Sequence, residues 1–251
     1  MAQGVSLSFY NNWTFWAVVI AALALILSQL PPIHDLIKRT KVNMELYSRI
    51  LITHKVGNPN VQLHIILNNV GGKVVRIREA IIVLKREGNV VAILPAQNYL
   101  QDPNDKTTVL FTPFSLKVRD DWMHLVNFLK YFSREDEKIY KSAEFKLKEN
   151  IINRRELPGN KDNLVEAEPE YVQPFIDMHK AFFKWQPGEY EMNISIDAVP
   201  KKAGLQKNYR FTLFESDSEE LRKSLDEYKF GDGIFWLSNR PKGVLVELVE
   251  A

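Results

Sequence analysis

The chain has 251 residues and carries 33 basic against 31 acidic side chains, a formal charge of +2. That balance argues against a general nucleic-acid binder, which needs a net basic face. The absence of cysteine excludes disulfides and cysteine–metal centres.

Residues 1–12, MAQGVSLSFYNN, are a short uncharged tail. Trp13 to Leu30 follows without a charge and is closed by Pro31-Pro32. As a helix it would be about 27 Å long, close to the roughly 30 Å hydrocarbon core of a bilayer. The sequence therefore predicts a single transmembrane helix over residues 13–30. A cleaved signal peptide would need a basic leader and an A-x-A-type site, and neither is present. Trp13 and Trp16 are placed as interfacial anchors, since amphipathic rings favour the headgroup level. Ala17, Ala21, Ala24 and Ser28 fall on one helical face, a packing seam for a second copy or a membrane partner.

Residues 31–42 read as a juxtamembrane linker in which Lys38, Arg39 and Lys41 supply positive charge. Positive residues near a span stay on the cytoplasmic side. The expected placement is the inner (plasma) membrane of a prokaryotic-type cell, N-terminus outside and soluble domain in the cytoplasm. The same charges would touch anionic headgroups, at about 1 kcal/mol each.

From Met44 the pattern alternates. MELYSRILITH is strand-like, Gly57-Asn58-Pro59-Asn60 marks a turn, and Val61, Leu63, Ile65 and Leu67 point one way while Gln62, His64 and Asn68 point the other. KVVRIREAIIVLKREG is a further strand with a blurred phase around Glu79-Ala80, the signature of a bulge. Glu87-Gly88-Asn89 turns the chain into VVAIL, and YLQDPNDKT is a polar loop. Phe114, Leu116 and Val118 alternate, Arg119-Asp120-Asp121 turns, and Trp122, His124, Val126 and Phe128 share a face.

Ser133 with Asp136 predicts a capped helix start, and Ile139, Ala143, Leu147 and Ile151 supply its apolar stripe. A second helix is predicted from Pro174 to Lys184, with Phe175, Met178 and Phe182 inward. Tyr190, Met192, Ile194 and Ile196 face together in the next strand, and YRFTLFE is the last of the series. Ser216 and Glu219 predict a helix over about 217–229, with Leu221, Leu225 and Tyr228 inward and a stop at Gly231-Asp232-Gly233. IFWLS and VLVELV, joined by NRPKG, read as a terminal β-hairpin.

The turn Pro187-Gly188-Glu189-Tyr190, which opens a late strand, and the strand–turn–strand segment FSLKVRDDW resemble immunoglobulin-like β-sandwiches. The resemblance covers about residues 43–215 and implies a fold, not an activity, because such sandwiches host unrelated functions. The expected architecture is mainly β with helical insertions. After the transmembrane helix it places an antiparallel sandwich at 43–215, a helical insertion at about 133–184, and a C-terminal helix-plus-hairpin appendage at 216–251.

No stretch carries a recognisable chemistry. The five histidines, His34, His54, His64, His124 and His179, hold no H-E-x-x-H motif. His54 and His64 could meet across neighbouring strands but would lack a third metal ligand. Gly71-Gly72-Lys73 lacks the spacing of a phosphate-binding loop, and no G-x-S-x-G motif occurs. Asp102 with Asp105, and Asp120 with Asp121, sit in predicted turns, where aspartate bonds its own backbone. Lys73, Arg76 and Arg78 read as a solvated strand face.

No catalytic, cofactor or metal site is assigned, and no cofactor is expected. Trp236 is the candidate partner contact, since tryptophan is favoured at interface hot spots. The expectation is a membrane-anchored, non-enzymatic interaction protein. Its partners would be membrane lipid and a protein or a second copy through the span, and no nucleic acid. One alternative is a ligand sensor with a pocket between sandwich and helical insertion; another is a hydrolase whose residues converge only in the fold.

Overall fold

The computed structural model describes residues 13–29, 39–101, 107–160, 163–238 and 242–251. Its first element, α1 (Trp13–Gln29), is 17 residues long. At 1.5 Å per residue that is about 26 Å. Among the described residues no helix is long and apolar enough to cross a membrane. The expected transmembrane helix over 13–30, and with it the single-pass anchor, is overturned. Uncharged composition signals an apolar helix but does not set where the helix ends, and Leu30 to Lys38 lie outside the described residues. The surface of α1 is exposed, Val18, Ile20, Leu25 and Ile26 included.

Twelve strands form one sheet with antiparallel ladders. They are β1 (Val42–Leu46), β2 (Arg49–Lys55), β3 (Asn58–Asn69), β4 (Val75–Arg86), β5 (Asn89–Leu100), β6 (Thr108–Leu110), β7 (Phe114–Leu116), β8 (Asp121–Leu129), β9 (Gly188–Val199), β10 (Leu205–Leu213), β11 (Val244–Glu247) and β12 (Val249–Glu250). The order along the sheet is β11-β2-β3-β8-β5-β4-β9-β10-β12, with β1 beside β3, β6 beside β5 and β7 beside β4. Period-two alternation builds the core as expected: Val61, Leu63, Ile65 and Leu67 of β3 are buried, as are Tyr190, Met192, Ile194 and Ile196 of β9. Fully burying such side chains contributes roughly 1.5–3 kcal/mol each. The anticipated bulge is present, a register shift between Ile77 and Glu79 where β4 meets β9.

The two ends of the sheet approach each other through the C-terminus. β11 pairs with β2 and β12 pairs with β10, and Leu248 between them donates its N–H to Ser48 O at 2.7 Å. The result is a mostly antiparallel, nearly closed, barrel-like sheet, compatible with a β-sandwich-like fold. The predicted terminal hairpin does not form. Gly231 and Gly233, both at positive φ, fold IFWLS into tight turns in which Gly233 N–H donates to Trp236 O at 2.8 Å. VLVELV is left free to join β2 and β10.

A layer of helices packs against this sheet. α2 (Arg134–Arg155) starts as predicted, with Asp136 N–H donating to Ser133 Oγ at 3.1 Å. Its buried stripe is Tyr140, Ala143, Leu147 and Ile151; Ile139, predicted inward, is exposed. A strict step of four drifts off a 3.6-residue turn, and Tyr140 corrects the drift. α3 (Pro169–Phe182) begins ahead of the predicted Pro174, with Pro169 in its first turn, where a missing N–H costs nothing. The predicted helix 217–229 is divided into α4 (Glu215–Arg222), α5 (Ser224–Glu227) and a 3₁₀ turn, Tyr228–Phe230. Asp217, rather than Ser216, serves its start, accepting from Phe214 N–H at 3.0 Å. Tyr140, Leu147, Phe175 and Tyr228 form a second core separate from that of the sheet.

Candidate functional site

Three places combine chemistry-bearing side chains with an unusual environment. The first is the junction where β2 meets α3 and α4. Gly57, at φ +82°, lets the C-terminal turn of α3 approach closely: a Cβ there would lie 2.6 Å from His179 O. Beneath that contact the His54 and His179 rings meet edge to face, their centroids 4.9 Å apart. His54 and His64, which could have met across neighbouring strands, do not: His54 lies opposite Pro59 and His64 opposite Leu125.

Hydrogen bonds fix the state of His54. Gly57 N–H donates to Nδ1 at 3.1 Å, so Nε2 carries the proton and donates to Leu221 O at 2.8 Å. Ser224 Oγ lies 3.2 Å from the same Nε2 and donates its own proton to Leu221 O at 3.0 Å. Activating a serine nucleophile requires an accepting imidazole nitrogen; here the nitrogen beside Ser224 is a donor. Burial lowers the His54 pKa, partly offset by the Leu221 carbonyl, and Lys242 lowers it further.

His179 is 2% exposed. Its Nδ1 lies 2.9 Å from Tyr228 Oη, and its Nε2 has no hydrogen-bond partner among the described residues. Burial, then His54 and Arg222, bring its pKa down to about 4. Burial raises the Tyr228 phenol to about 12. The group is neutral and mostly satisfied, the arrangement that buried polar side chains require. Among the described residues no group of three His, Cys, Asp or Glu is placed to hold a metal.

The second place surrounds Trp236. This residue sits in the turn after the 3₁₀ segment, not in a hairpin, with Nε1–H donating to Phe230 O at 2.8 Å. It is 38% exposed and Leu237 beside it 75%. Trp236 lines a cleft of about 450 Å³ with Ile152, Leu164 and Phe235, and Lys148 and Arg155 stand at its margin.

The third place is a groove of about 570 Å³ between the sheet and the helical layer, the position expected for a ligand pocket. One wall is Val90–Leu94 of β5; the other includes Tyr131, Phe132 and Phe182. Phe132 stacks on Tyr140 at 5.8 Å and meets Phe182 edge-on at 5.2 Å, so this wall is rigid and aromatic.

The remaining predicted residues are not gathered into any of these places. Trp13, Trp16, Ala17, Ala21, Ala24 and Ser28 lie along exposed α1, where Ser28 Oγ–H donates to Leu25 O at 2.8 Å. Arg39 and Lys41 are exposed, and Lys38 falls outside the described residues. Sequence reasoning missed the His54–His179 meeting and the residues that line the groove, since both depend on which distant elements pack together. No protein-family model matches the chain, and no curated protein matches it.

Proposed function

We propose that this protein is a non-enzymatic interaction module that binds a protein partner on its helical side. The observation that carries the reading is the apolar surface of Trp236, Leu237, Leu164 and Ile152, exposed together beside a preformed cleft. Contiguous exposed apolar surface on a folded domain marks a contact site, and tryptophan is the side chain most enriched at binding hot spots. An immunoglobulin-like sandwich is the platform this reading adopts for the sheet. The proton arrangement at His54 and Ser224 supports it, because it runs opposite to nucleophile activation.

A photoreactive residue at Leu237 should crosslink one protein in cells, and the same residue at exposed Lys201 should not. Trp236→Ala should weaken that complex about 30-fold, roughly 2 kcal/mol, with stability little changed. No crosslink above the Lys201 control, or lost stability with undiminished capture, rejects the contact.

A second element of the proposal concerns α1. Its apolar side chains are exposed, and a second copy packed along Ala17, Ala21, Ala24 and Ser28 would cover those that flank this face. A disulfide-crosslinking series along α1 should then peak at those positions; a flat profile removes self-association through this helix.

A further inference from the structure

A strand edge carries N–H and C=O groups that require partners. β5 pairs with β4 from Asn89 to Pro95 and with β8 only from Ala96 to Leu100. Among the described residues no strand pairs with the second edge of Asn89–Pro95, so alternate amides and carbonyls there face the groove. The five residues Val90–Leu94 are apolar and carry none of the charges that guard exposed edges. Val90 is 54% exposed and Ile93 53%.

Two lysines and one carboxylate lie among the lining residues of the groove. Lys130 and Lys184 line it, while the start of α2, which opens onto it through Ser133, carries Glu135, Asp136 and Glu137 in its first turn. Asp136, the carboxylate among the described lining residues, is engaged in accepting the Ser133 Oγ–H at 2.7 Å.

We propose that this groove takes an extended segment of a partner protein as an added strand on β5. The segment is four or five residues long, apolar at alternate positions, and carries an acidic residue toward Lys130 and Lys184. The inference rests on the reading of the protein as an interaction module and names the chemistry of one occupant. Backbone hydrogen bonds supply affinity in such strand addition, and side-chain pockets supply choice.

The dimensions agree. Val90–Leu94 spans about 17 Å at 3.4 Å per residue. Pro95, which has no N–H to offer, ends the stretch, and the register shift between Leu84 and Lys85 leaves Val91 unmatched within it, a bulge that the added strand must follow. A small molecule would leave the row of amides unpaired. A second copy of Val90–Leu94 brings no acidic residue to the two lysines.

The test is selection of random linear decapeptides on phage against the full chain. Enriched peptides should alternate apolar residues and contain Asp or Glu. Their binding should slow hydrogen exchange at the groove-facing amides of Val90–Leu94 at least tenfold. Methylating alternate peptide nitrogens should cost at least tenfold in affinity, as should Ile93→Glu. Lys130→Glu with Lys184→Glu should also cost tenfold and favour peptides with lysine in place of the acid. Sequences without alternation, full binding by N-methylated peptides, protection elsewhere, or a concentration-dependent dimer abolished by Ile93→Glu each overturn the proposal. Trp236→Ala should leave peptide binding unchanged. Loss of the Leu237 crosslink with retained peptide binding therefore discards the Trp236 contact alone.

Discussion

Two seams join the halves of this sheet, one through the C-terminal strands and one through β5, and they end differently. At the first, β11 lies on β2 and β12 on β10, with Val246 and Leu248 turned inward and buried. Gly243, at φ +123°, allows the approach, since a Cβ there would sit 2.6 Å from Ile52 O. At the second, β5 changes partner at a register shift between Ala96 and Asn98 and leaves its first half paired on one side. A sheet can thus be almost closed and still keep a short stretch of backbone available, provided the closing interactions are concentrated elsewhere. Stability should reside in the first seam and recognition in the second.

The largest effect is expected from breaking the closed seam. Removing Val244–Ala251 exposes the edges of β2 and β10 and deletes two buried aliphatic side chains. At roughly 1.5–3 kcal/mol per side chain and about 1 kcal/mol per ladder hydrogen bond, the loss should exceed about 5 kcal/mol. Urea unfolding should show a protein unfolded or marginal without denaturant.

Next comes the junction that supports both seams from the helical side. Gly57→Ala places a methyl against the α3 backbone at a left-handed φ and should cost about 3 kcal/mol. The same unfolding experiment measures it, and a cost below 1 kcal/mol would show that α3 is free to move away.

Acid addresses the same junction without mutation. His179 titrates at about 4 in the folded chain, against about 6.5 when unfolded. Below pH 6.5 the unfolded chain binds protons that the folded chain refuses, so stability falls with pH until it levels off below about 4. His54 is shifted in the same direction, and Lys242 and Arg222 add to the resistance. His179 alone contributes about 2 kcal/mol of lost stability between pH 7.5 and pH 5. Replacing it with phenylalanine should flatten that part of the profile.

The smallest effect belongs to the open seam. Ile93→Glu sits on an exposed position and should change stability by less than about 0.5 kcal/mol while abolishing strand addition. That contrast between stability and binding is what separates the two seams.

Much of the sheet was legible before any coordinates. Alternation at Val61–Leu67 and Tyr190–Ile196 located core strands, and the phase slip at Glu79-Ala80 located a bulge. Ser133 announced its helix because a cap is a local hydrogen bond. What failed depended on distance or on ends. VLVELV has a strand pattern, but the choice between a hairpin and two separate edges is made by β2 and β10. Composition suggested a span at Trp13–Leu30, whereas among the described residues no helix is long and apolar enough to cross a membrane. His54 and His179 come together only because Gly57 admits α3. The run VVAIL marked a strand, but which of its edges lacks a partner is decided by where β8 diverges.

Native-state hydrogen exchange on the unliganded full chain tests the account most directly. The ladder amides of Val244–Glu247 should exchange only through global opening. Within Val90–Leu94, amides facing away from β4 should exchange at least a hundredfold faster, alternating with protected neighbours that bond to β4. Uniform protection across Val90–Leu94, equal to that of the C-terminal strand, would contradict the open seam and the strand addition proposed for it.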